Sequence, residues 1–70
     1  NSPDLSPTLN NALEQLSEIQ RSVVLLRDYE GYSYDEIAQI TELTEVQVKV
    51  YIFRARKKLQ QILVSIDRIV

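Results

Sequence analysis

From Val48 onward the chain repeats an apolar residue every three or four positions: Val48, Ile52, Ala55, Leu59, Ile62 and Ile66. Steps of four and three in alternation place all six side chains on one stripe of an α-helix, which turns by about 100° per residue. The stripe continues past Leu59, so the spacing predicts a helix of roughly twenty residues. An apolar stripe of that length must be covered by other helices. With 70 residues and 44% hydrophobic content, the chain can close one thin core, and a single small domain is expected.

The rest of the chain supplies the cover as short helices with recognisable ends. Pro7 suits a first helical turn with Ser6 as its cap, followed by Leu9, Leu13 and Leu16 on one face. Ser17 caps a second helix carrying Ile19, Val23 and Leu26, and Gly31 ends it, since glycine adopts the left-handed conformation that closes helices. Ser33 with Glu36 forms a capping box that starts a third helix carrying Ile37, Ala38 and Ile40 and stopping near Thr41. Thr44 with Gln47 forms another capping box and starts the long helix. Asn1 to Ser6, small and polar around Pro3, reads as the end of a flexible linker, with the folded domain occupying 7–70. The expected architecture is all-α: a small bundle of four helices. Its third and fourth helices, joined by a turn of three or four residues, make a helix-turn-helix, and the tail of the last packs back on the first.

Composition narrows the function. The chain has no cysteine and no histidine, which removes disulfides, thiolate metal sites, cysteine nucleophiles and imidazole acid-base chemistry. Glu36, Glu42 and Glu45 show no spacing that ties them to a base or a metal, so a catalytic carboxylate pair is not indicated. Neither an enzyme nor a cofactor or small-molecule binder is expected. No apolar run reaches the eighteen or so residues needed to cross a bilayer, and a soluble, cytoplasmic protein with no membrane partner is expected. Tyr29, Tyr32 and Tyr34 around Gly31 read as packing residues with wet hydroxyls.

A net charge of −2 conceals a division. Asn1 to Val46 carries nine acids and two bases, a balance of −7; Gln47 to Val70 carries six bases and one acid, a balance of +5. Such asymmetry suits a chain that offers one end to a polyanion. On the long helix the side away from the core stripe carries Val46, Val50, Phe53, Arg54 and Lys57, with Gln47 at its edge. The cations also suit the carboxyl-terminal half of any solvated helix, where they oppose the macrodipole. Behind a helix-turn-helix they suit DNA, because the second helix of that motif lies in the major groove while flanking bases meet phosphates. Arg54 is the candidate base reader, since a guanidinium grips guanine O6 and N7 with two parallel hydrogen bonds; Lys49 and Lys57 are the candidate phosphate contacts. Val46, Val50 and Phe53 have several readings open: burial against a neighbouring helix, an oligomer contact, contact with thymine methyl groups, or cover by a partner protein.

The succession Leu16, Arg21, a leucine-rich stretch, Gly31, Ser33, Glu36-Ile37-Ala38, Val48-Lys49 and Arg54-Ala55-Arg56-Lys57-Lys58-Leu59 resembles region 4 of bacterial RNA polymerase sigma factors, particularly the extracytoplasmic-function group. The resemblance covers Leu16 to Leu59, and its ending RARKKL is its most specific part. It implies a helix-turn-helix domain that reads the minus-35 promoter element to direct transcription initiation. The implied partners are promoter DNA, the flap of the polymerase β subunit and an anti-sigma factor. The DNA-facing set that follows is Thr44, Glu45, Gln47, Lys49, Val50, Tyr51, Arg54, Arg56 and Lys57, of which Lys49, Arg54 and Lys57 match the family pattern. The chain departs from that pattern in having Ser17 for a proline and Thr41-Glu42 for leucine-glycine, so Glu42 would adopt a left-handed conformation costing about 1 kcal/mol. It also has Gln47, Val50 and Tyr51 where members often carry threonine, serine and arginine.

Two other readings share these features. The output domains of LuxR-type response regulators are similar through Ala38, but they typically place histidine where Tyr51 stands and isoleucine where Ala55 stands. A helical protein-interaction module that binds a regulator and never DNA also fits the acidic front half and the apolar outward face.

Overall fold

The computed structural model describes residues 6–69, with side chains through Ile66. The expected linker end falls outside the described residues except for Ser6. Among the described residues the chain forms four α-helices and no strand: α1, Pro7–Glu14; α2, Glu18–Val24; α3, Tyr34–Thr41; and α4, Glu45–Ile69. Each start follows from a side chain that satisfies a free first-turn amide. Ser6 Oγ accepts from the Leu9 N–H at 3.2 Å. Ser17 and Gln20 form a reciprocal capping box, as do Ser33 and Glu36. Thr44 and Gln47 repeat the arrangement, with the Gln47 N–H donating to Thr44 Oγ1 at 3.1 Å and the Thr44 N–H to Gln47 Oε1 at 2.9 Å.

The end of the second helix departs from a regular one. α2 passes into a π-helical stretch, Leu25–Tyr29, closed by the Glu30 N–H donating to the Leu25 carbonyl at 3.0 Å. The wider turn admits one extra residue before Gly31, which reverses the chain at φ 78°. A Cβ there would meet nothing within 4 Å, so the glycine answers the backbone conformation and not a lack of space.

The core has two parts, and α2 lies between them. Ala12, Leu13, Leu16, Val24, Ala55 and Leu59 make one; Val23, Ile37, Val48 and Ile52 make the other. Val23 and Val24 therefore face different clusters, because neighbouring residues on a helix point about 100° apart and α2 is covered on both sides. The inward stripe of α4 spans both parts, and Ile62 and Leu63 pack with Leu9 against the first, so the tail of α4 does return to α1. Each fully buried aliphatic side chain here contributes about 1.5–3 kcal/mol. α4 is longer than the spacing alone suggested, 25 residues. No glycine or proline follows Gly31 to stop it, and at about 1.5 Å per residue it accounts for most of the 40 Å long dimension of the molecule.

Candidate nucleic-acid interface

α3 and α4 meet through Glu42, Leu43 and Thr44. Glu42 adopts the left-handed conformation, φ 61° and ψ 29°, and its N–H donates to the Ala38 carbonyl. The Leu43 N–H donates to the same carbonyl at 3.1 Å, and Thr41 Oγ1 donates to the Ile37 carbonyl at 2.7 Å. The reversal therefore keeps the short helix-turn-helix connection without the usual glycine, at the strain a side chain incurs there. Leu43 packs into the second core cluster and fixes the turn against α3 and α4. α4 thus leaves the turn with its first residues held and one face turned to solvent.

That face carries most of the residues singled out above. Val46 is 71% exposed, Phe53 67% and Val50 40%. Glu45, Gln47, Lys49, Arg54 and Lys57 are also exposed. Around the helix, Lys49 lies on one edge of the valines and Arg54 on the other, with Lys57 in line one turn further on, by the rotation of about 100° per residue. No acid stands between Glu45 and Asp67, whereas Lys49, Arg54, Arg56, Lys57 and Lys58 do. Glu45 itself sits in the first turn, where a carboxylate complements the helix dipole.

Five of the expected DNA-facing residues have structural engagements, Lys49 among them through the Tyr34 ring. Thr44 and Gln47 hold each other in the capping box. Thr44 Oγ1 accepts there and keeps its hydroxyl hydrogen to donate elsewhere. Tyr51 is half-buried against the second core cluster, so its ring packs within the domain. Arg56 forms a bidentate pair with Asp28: Nε donates to Oδ2 at 2.9 Å and Nη2 to Oδ1. The hydrogen bonds to Asp28 push the Arg56 pKa further up. The pair is 50% and 32% exposed, so water screens it and its contribution stays below about 1 kcal/mol.

Asp28, Arg27 and Tyr34 have a part that the sequence reading did not give them. Arg27 Nη1 donates to the Tyr32 carbonyl at 3.0 Å, and its guanidinium lies 4.4 Å from the centre of the Tyr34 ring. Lys49 Nζ lies 5.3 Å from the same ring, so the ring holds two cations by cation–π attraction. Nothing in local spacing signals these contacts, since Asp28 and Arg56 are 28 residues apart. The only usable sign was the charge opposition between front and back of the chain. Nearby, burial raises the Tyr29 pKa, assisted by the Asp28 charge, and hydrogen bonds from Ser33 lower that of Glu36. No group of three potential metal ligands exists among the described residues.

A capped second helix, presented by a tight turn with an outer face that is edged by cations and free of acids beyond Glu45, defines a helix-turn-helix of the DNA-binding class. The family model described as Sigma-70, region 4 matches residues 8–59. The chain is 33% identical over 60 residues to the RNA polymerase sigma-H factor of Pseudomonas aeruginosa, an alignment that takes in 86% of this chain and 31% of that protein. No solved structure matches the chain. The chain belongs to the sigma-70 region 4 family, whose domains bind DNA and catalyse no reaction. This assignment excludes the LuxR-type reading. No helix among the described residues is long and apolar enough to cross a membrane.

Proposed function

We propose that this domain recognises the minus-35 element of promoters within a larger sigma factor of the extracytoplasmic-function group, acting in the cytoplasm on RNA polymerase core. The observation that carries the proposal is the outward face of α4, which leaves a fixed turn with Lys49, Arg54 and Lys57 exposed and no acid among them. α4 lies in the major groove with its first turns against the base edges. Arg54 pairs with guanine O6 and N7, while Lys49 and Lys57 neutralise phosphates. Arg56, tied to Asp28, acts first as a positioning residue that sets how α4 leaves the body of the domain.

A second surface supports the polymerase part of the proposal. Ile19, Ser22, Leu25, Leu26, Glu30, Ile40 and Thr41 line an apolar groove between α2 and α3, and Ile40 is 54% exposed in it. We assign this groove to the flap of the polymerase β subunit, and its masking to an anti-sigma factor. Transcription in vitro from a promoter library, by the complete factor with RNA polymerase core, tests the proposal. Sequence-selective initiation by the wild type that Arg54→Ala degrades supports it; initiation from no promoter contradicts it.

A further inference from the structure

Resting on that function, we infer that Val46 and Val50, continued by Phe53, form an apolar reading strip that receives thymine methyl groups in the major groove. All three side chains are exposed on a small domain that has buried the other aliphatic positions of α4 as far as Leu59. Such an exposed apolar patch marks a contact surface. The charge around it decides the occupant: Lys49 and Arg54 lie on its two edges, Lys57 lies in line with it, and no acid interrupts α4 from Val46 to Ile66. A protein partner would have to bring acids to both edges, whereas a duplex brings phosphates to both sides of a helix in its groove. Within that groove the thymine C5-methyl is the one apolar feature a base pair presents.

The spacing makes the inference specific. Val46 and Val50 are four residues apart, about 6 Å along the helix, which is roughly two base-pair steps of 3.4 Å. The strip therefore reads one or two thymines within about two base pairs of each other, beside the guanine taken by Arg54. It replaces hydrogen-bonded readout by shape and methyl contact, which fits a helix whose Gln47 is engaged in its own cap.

The test uses the complete factor with RNA polymerase core. The minus-35 element is selected from a randomised duplex library, and each thymine in it is then replaced singly by deoxyuridine, which removes the methyl group alone. Affinities are measured for the wild type, Val46→Ala and Val50→Ala; alanine favours the helix at both exposed positions, and circular dichroism checks that the fold is kept. One or two closely spaced thymines should each weaken wild-type binding about fourfold when demethylated, the value of one buried methyl-sized group. That loss should disappear in the matching valine variant. A response at no thymine, or one of equal size in the variants, overturns the inference while leaving promoter recognition standing. Valine variants that lose affinity for a polymerase subunit but keep the full deoxyuridine response show a protein-covered face and also overturn it. Selection of no preferred sequence overturns the functional proposal and this inference with it.

Discussion

α4 carries two stripes with the same rhythm. Val48, Ile52, Ala55 and Leu59 follow each other at steps of four, three and four, and so do Val46, Val50, Phe53 and Lys57. The first set is buried, from 0% to 8% exposed, and the apolar members of the second are 40% to 71% exposed. Periodicity therefore identifies the helix without choosing which stripe is the core. The choice is made by continuity and charge: the inner stripe stays apolar through Ile62 and Ile66, while the outer one takes in Lys57 and runs between Lys49 and Arg54. The same helix thus holds the domain together on one side and leaves the other side exposed.

The contrast is broken most strongly from inside. Ile52→Ala should cost about 2–5 kcal/mol, a large share of the stability of so small a domain, whereas Phe53→Ala should stay within about 0.5 kcal/mol. Thermal or urea unfolding of the pair reads the difference directly, and equal losses would show that the outer stripe is also structural. Thr44→Ala, which removes the cap of α4, should cost about 1 kcal/mol and loosen the register of both stripes, seen as faster amide exchange in the first turn. Asp28→Asn weakens the tie to Arg56 and should cost less than about 1 kcal/mol because the pair is screened; a larger loss in a double-mutant cycle with Arg56→Ala would make it a main support of α4.

The smallest effect concerns pH. Hydrogen bonds from Ser33 lower the Glu36 pKa, so the ionised cap favours the folded state. Its contribution is present above the ordinary carboxylate range and is lost as pH falls through the lowered folded value. The stability difference between wild type and Glu36→Gln should therefore be seen at neutral pH and close in acid. A difference independent of pH would contradict the ionised capping box.

Much of the fold was legible because its signals are local. Ser17, Ser33 and Thr44 announced helix starts, Gly31 an end, and the inner stripe of α4 its buried side. The left-handed Glu42 followed from comparing the turn with the family pattern, and the structure has it there. The π-helical stretch Leu25–Tyr29 was not legible, since one bond to the fifth residue leaves no trace in apolar spacing. The extra residue it admits precedes Gly31, where a regular helix had been expected from Ser17 onward. The charge split suggested a polyanion-facing end, yet the partners of Arg56 and Lys49 come from tertiary folding alone. For the same reason a count of basic residues could not separate Arg56, paired with Asp28, from exposed Arg54 and Lys57.

The central claim is that the outer stripe of α4 reads DNA with Arg54 at its edge. The most direct measurement is the base preference at every position of the selected minus-35 element, for wild type and Arg54→Ala, in the complete factor with RNA polymerase core. The account predicts a loss of about 1–3 kcal/mol confined to one base pair, where selectivity relaxes. Uniform weakening at all positions, or an unchanged preference, would contradict it.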